Sequence, residues 1–191
     1  MGYNPATTDP FDDLRRGREA AALATREALA AGGTRSFQAV AKLQAQMKEL
    51  EQLFLSLPWA VTDFAQNRAY ALGADWATVA VARITRPAGK NRVSIMAIAS
   101  GSAVNTKEFS FPRVRSRIVI AGSAGLESFA STTYSVASDA HVCTSSHGLS
   151  IANPPQVIEV HFQMWTDGTG IFPASSDNVS QVTAQAIFMR E

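Results

Sequence analysis

Six apolar residues between Val40 and Leu57 constrain this chain more than any other feature of its sequence. Val40, Leu43, Met47, Leu50, Phe54 and Leu57 follow one another at steps of 3, 4, 3, 4 and 3, which is the a/d spacing of a coiled coil. Gln44, Gln46, Lys48, Glu49, Glu51 and Gln52 fill the other faces of the same helix. A stripe that narrow needs a second helix to cover it, either a copy of itself or the helix just before it. The six residues are therefore the expected oligomerisation seam of a coiled-coil stalk. The other reading is an αα-hairpin in which residues 10–31 fold back on residues 36–57 across Gly32-Gly33, and the two arrangements are compatible. Val40 at an a position with Leu at every d suits a dimer, whereas Met47 and Phe54 at a blur that preference.

The stripe has clear ends. Residues 1–9 read as an irregular arm. Asp9-Pro10 then opens a first helix with a cap and a first-turn proline, followed by Asp12 and Asp13 near the positive end of the helix dipole. That helix is alanine-rich to about Ala31, with Leu14, Leu23 and Leu29 thinly spread, so its propensity is high and its apolar face slight. Gly32-Gly33 ends it. Pro58 stops the second helix by removing a backbone donor and disfavouring helix at the residue before it. Residues 58–74, with Trp59, Val61, Phe64, Tyr70 and Leu72 among polar groups, read as a junction.

From Asp75 the apolar period changes from helical to two. Trp76–Ile84, Arg92–Ser100, Val114–Ala121, Val157–Thr166 and Val179–Arg190 read as strands. The first two are joined by TRPAGKN, whose Pro87 and Gly89 predict a hairpin turn. Residues 122–150 hold eleven Ser or Thr in 29 positions and read as exposed loops with short strands at Thr132–Ala137 and His141–Thr144. Strands delimited by turns, with no helical pattern between them, predict an antiparallel β-sandwich of jelly-roll type. The fold class is thus α+β in segregated form: arm, helix and heptad stalk over 1–57, a junction over 58–74, and a β head over 75–191.

Composition narrows the function. Seventeen Lys and Arg against sixteen Asp and Glu leave a net charge of +1, not the basic excess of a general nucleic-acid binder. No run approaches the 18 apolar residues of a membrane span, and the start lacks the pattern of a signal peptide. Cys143 is the single cysteine, so no disulfide forms within the chain. Nor is there a G-x-S-x-G elbow, a phosphate-binding glycine loop or an H-E-x-x-H helix; the expectation is a protein without enzymatic activity or cofactor. Glu108, Glu127, Asp139, Glu159 and Asp167 are available as paired carboxylates, but nothing marks a pair.

Three constellations remain. Arg83, Arg86, Lys90, Arg92, Lys107, Arg113, Arg115 and Arg117 stand against Glu108 alone within 83–117, and Arg113, Arg115 and Arg117 leave one face of a strand. They form either a cationic face for an anionic envelope polymer or a solvated face paired with acids elsewhere in the head. Asp139, His141, Cys143 and His147 are all metal-ligating types, yet a site needs a further convergent ligand, which only a symmetry axis would supply; the bland reading is a loop with a small buried thiol. Trp76 and Trp165 are either core residues or sugar platforms.

The acidic-then-basic start Pro10-Phe11-Asp12-Asp13-Leu14-Arg15-Arg16, the heptads ending at Pro58, and the head phrases VAVARITRPAGKNRVSIMAIASGSAV, RSRIVIAGSAG and VTAQAIFMR resemble the minor tail and tail fibre proteins of tailed phages infecting actinobacteria. The resemblance implies a structural virion protein, usually trimeric, that anchors to other phage virion proteins through its N-terminal helices. Its β head would face a host cell-surface glycan or a neighbouring subunit, after synthesis in the bacterial cytoplasm. The family offers no active-site motif, so no catalytic residue is carried over. A carbohydrate-binding, lectin-like module and a head or neck fibre protein are the alternatives. Animal C1q- and TNF-like modules share the plan, but they normally carry secretion signals and aromatic-rich strand phrases.

Overall fold

The structure is a computed structural model describing residues 10–30, 34–107, 112–131, 138–168 and 171–190. The N-terminal arm with Asp9, the Gly32-Gly33 turn, Glu108 and the strand expected at Thr132–Ala137 lie outside the described residues. The chain divides into two compact units, residues 1–57 and residues 58–191.

In the first unit, α1 (Pro10–Ala30) and α2 (Thr34–Ser56) are joined by three residues. Arg18 Nη2 donates to both carboxylate oxygens of Glu51 at 2.6 and 2.8 Å. Arg18, Ala21 and Ala22 face Gln44, Met47, Lys48 and Glu51 across one groove. Helices joined by so short a connection that still meet far from it, as Arg18 meets Glu51, run antiparallel, as an αα-hairpin. The exposed ion pair adds at most about 1 kcal/mol; alanine propensity and the Met47 contact hold the rest. A coiled-coil stalk is not what this unit shows. The hairpin splits the heptad stripe lengthwise: Val40, Met47 and Phe54 are half-buried, while Leu43, Leu50 and Leu57 remain 56%, 63% and 52% exposed.

Among the described residues the second unit has nine strands: β1 (Trp59–Arg68), β2 (Ala77–Thr85), β3 (Arg92–Val104), β4 (Arg113–Ile120), β5 (Ser123–Ala124), β6 (Ser128–Ser131), β7 (Ala140–Ala152), β8 (Val157–Thr166) and β9 (Val179–Met189). One sheet has the order β1-β9-β3-β7; the other runs β2-β8-β4, with β5 and β6 both on β4. Every pairing is antiparallel. Apart from β4, β5 and β6, successive strands lie in opposite sheets, the wrapping of a jelly-roll-like β-sandwich.

Three expectations change here. Residues 58–74 are not merely a junction, because β1 pairs with β9 along its whole length from Trp59↔Phe188 to Arg68↔Val179. The Pro87-Gly89 turn does not make a hairpin: β2 pairs with β8, and β3 with β7 and β9, so the turn carries the chain between sheets. The end of the serine-rich stretch is not loop: the strand expected at His141–Thr144 extends into β7, which matches β3 over thirteen positions from Ala140 to Ala152. A real hairpin follows β4, where Ala121 (φ 48°) and Gly122 (φ 84°) form the two-residue turn with both φ positive that suits strand twist.

Between the sheets lie Ile84, Ile95, Ile118, Ile158, Phe162, Met164, Phe172 and Phe188, all buried. Gly101 sets their closest approach: a Cβ there would come within 2.5 Å of Met164 Sδ and 2.8 Å of Phe162 Cε1. Several buried polar groups of this core are satisfied in place. Asn178 accepts from Val104 N at 2.8 Å and donates to the Tyr70 and Pro173 carbonyls. The Ser180 hydroxyl donates to Val79 O at 2.8 Å. The Tyr70 hydroxyl donates to Ser102 O at 2.7 Å, and burial pushes its pKa above the ordinary phenol value.

Candidate functional site

Because strand residues alternate between faces, the packing that fills the core also fixes what each sheet shows outward. On the β1-β9-β3-β7 sheet, register aligns four outward rows: Ala60–Ile187–Ser94–Ser150, Thr62–Gln185–Met96–Gly148, Phe64–Thr183–Ile98–Ser146 and Gln66–Gln181–Ser100–Thr144. No position in these rows is charged. Their large apolar side chains stand open, Met96 at 63%, Ile98 at 61% and Phe64 at 55%. Charge appears only at the margins, with Arg92 at one end of β3 and Arg68 at one end of β1.

The outward face of the β2-β8-β4 sheet carries four members of the sequence's basic run, Arg83, Arg113, Arg115 and Arg117. Arg83 Nε donates to Glu159 Oε1 at 3.0 Å, and the other oxygen of Glu159 lies 3.1 Å from His161 Nε2. These two hydrogen bonds, Arg83 first, hold the Glu159 carboxyl below its usual range. Arg117 Nε donates to Gln163 Oε1 at 2.9 Å, with its guanidinium 4.1 Å from the Trp76 ring centre. Arg115 lies 4.9 Å from the ring centres of both Phe129 and Trp165 and donates to Glu127 at 3.2 Å. Arg113 pairs with Asp167, whose Oδ1 accepts its backbone N–H at 2.7 Å. The three alternating arginines do share one face, and acids, an amide and rings on neighbouring strands engage them. Trp76 and Trp165 are half-buried, each with a guanidinium over its ring rather than an open platform.

His141, Cys143 and His147 alternate along β7 and point inward. His141 packs edge-on against Phe172 with ring centres 5.2 Å apart, and burial pulls its pKa down. Cys143 Sγ donates to Val114 O at 3.6 Å, and burial pushes the thiol up. The His147 ring lies against Gly125, where a Cβ would meet its Cγ at 2.7 Å. Among the described residues no group of three or more His, Cys, Asp or Glu is placed to hold a metal. Five of the six seam residues lie on α2, with Leu57 just past its last residue, and the hairpin does not bring them into one environment. The uncharged sheet face was missed in the sequence; the signal was Met96 and Ile98 at the polar phase of an alternating strand, with Phe64 in the same role on β1.

No protein-family model matches the chain, and no curated protein does either. Solved structures do resemble it in fold. The globular domain of zebrafish complement 1qA protein aligns at 12% identity and TM-score 0.37 over 67% of this chain and 95% of that one. Eiger TNF from S. frugiperda aligns at 7% identity and TM-score 0.37, over 69% and 93%. The infectious bursal disease virus VP2 subviral particle aligns at 13% identity and TM-score 0.30, over 70% of this chain and 33% of that one.

Proposed function

We propose that this chain is a structural protein of a tailed-phage particle, a homotrimeric minor tail or fibre component that attaches through its helical hairpin and presents its β head. The observation that carries self-association is the uncharged outer face of the β1-β9-β3-β7 sheet. An uncharged face loses no charge hydration when another copy covers it, whichever surface of that copy it meets, so burying it costs less than burying a charged one. Phe64, Met96 and Ile98 offer that face apolar area to bury, worth about 25 cal/mol for each Å² removed from water. The particle assignment rests on the phrases shared in kind with phage tail proteins. Mechanism in this reading is multivalency, since copies held together raise the effective concentration of individually weak contacts.

Light scattering on the purified full chain tests the assembly. A mass three times that of the chain, falling to one chain with Ile98→Glu, supports it; a monomer at micromolar concentration overturns it. Mass spectrometry of purified particles tests the placement, and absence of the chain's peptides from intact virions would reject it.

A further inference from the structure

The hairpin uses one column of the heptad stripe and leaves another. Met47 faces Arg18, Ala21 and Ala22 across the α1–α2 groove, and Val40 and Phe54, one heptad to either side, are half-buried. One step around α2, Ala39, Leu43, Gln46, Leu50 and Leu53 follow at steps of 4, 3, 4 and 3. All five are exposed, the leucines at 56%, 63% and 61%. Gln46, Leu50 and Leu53 line a concave strip together with Glu49, Gln52 and Ser56. This is a second a/d column, turned away from α1, and knobs at such spacing need the holes of a helix running alongside.

Gln46 indicates which helix. Opposite an apolar residue of an antiparallel or unrelated helix, its buried carboxamide would lack a partner. Opposite Gln46 of another copy in the same register, each amide N–H₂ meets a carbonyl oxygen. The column itself is uncharged, and its flank carries Lys42 and Glu49, of opposite sign, so identical copies do not meet as like-charged stripes. We infer that copies of this chain pack α2 against α2, parallel and in register along Ala39–Leu53, with Gln46 hydrogen-bonded to Gln46 across the axis. The inference rests on the self-association proposed above and names the helical contact, its direction and its register. It also moves the seam off Val40, Met47 and Phe54, which the hairpin already uses.

The test is disulfide trapping in the full chain, with Cys143→Ala to remove the native thiol and Gln46→Cys to place one on the axis. Under mild oxidation a non-reducing gel should show most of the protein joined chain to chain, and none when Ala45→Cys replaces Gln46→Cys. Equal trapping at the two positions would mean collision and overturn the inference. An oligomeric mass without trapping at position 46 would overturn it while leaving assembly through the sheet face standing; a monomeric mass would remove both readings. A second variant, Gln46→Leu in the otherwise native chain, changes only an exposed helix position. With Gln46 on the axis, it should lower the midpoint of dilution-driven dissociation by about tenfold or more, since a polar core residue specifies register at a cost in stability. An unchanged midpoint would place Gln46 in solvent and overturn the contact.

Discussion

On the β1-β9-β3-β7 face, the rows from Ala60 to Gln66 hold no charge, whereas on the β2-β8-β4 face Arg83, Arg113, Arg115 and Arg117 stand among Glu127, Glu159 and Asp167. Both faces come from the same alternation over one shared core. Charges on the second face are met within its own sheet and by the rings of Trp76, Phe129 and Trp165. On the first face, Met96, Ile98 and Phe64 stand exposed among the described residues. A face whose polar demands are met locally gains little from a partner, while an apolar, uncharged one gains from any fitting surface that displaces water.

Substituting the uncharged face should break this contrast most sharply. Ile98→Glu is expected to reduce the mass in light scattering to that of one chain while shifting the thermal midpoint of the separated monomer by no more than an exposed substitution does, within about 0.5 kcal/mol. Loss of folding, rather than of mass, would mean that the face belongs to the core. Beneath both faces, Gly101→Ala forces a methyl group against Met164 and Phe162. Denaturant titration should show a loss of about 2 kcal/mol, and a neutral result would mean that the two sheets part easily.

On the charged face the effects should be smaller and leave assembly intact. Arg115→Ala removes the Glu127 pair and two ring contacts, and urea unfolding should register about 1–2 kcal/mol with the light-scattering mass unchanged. A change in mass there would move the interface to this face. The smallest effect is expected at Glu159. Its folded pKa is depressed, so its stabilising contribution is present above the ordinary carboxylate value near 4.5 and is lost as pH falls through the folded value. Thermal midpoints of the native chain and Glu159→Gln should therefore differ slightly at neutral pH, by an amount that shrinks as the pH falls from about 4.5 through the depressed folded value. A gap that does not shrink with falling pH would show that the carboxylate contributes little through its charge.

Elements whose signals are local can be read from residue order alone. Pro58 ends the helical region because no helix carries a proline past its first turn without losing a bond. Val157–Thr166 matches β8, and Val179–Arg190 overruns β9 by one residue, because inward Ile, Val, Phe and Met alternate there with polar residues. The same alternation placed Arg113, Arg115 and Arg117 on one face. Where both phases of a strand are mixed, the pattern fails: β1 puts Phe64 outward and Asp63 inward, where the Asp63 carboxylate accepts from the Arg83 backbone N–H at 2.6 Å. In β7, histidine, cysteine and serine take the core side, so the sequence shows only His141–Thr144 of it as strand.

Which strands are neighbours, and which apolar residues stay exposed, depends on contacts between residues far apart in the chain. Turn residues such as Pro87 and Gly89 redirect the chain, but the sheet it joins next is chosen by packing across the core, between residues as distant in sequence as Gly101 and Met164. The heptad spacing likewise demanded a helical partner, and hairpin closure decided that Met47 turns toward α1 while Leu43, Leu50 and Leu53 face outward. Periodicity is written by adjacent residues, whereas burial is settled by whatever the folded chain brings against them.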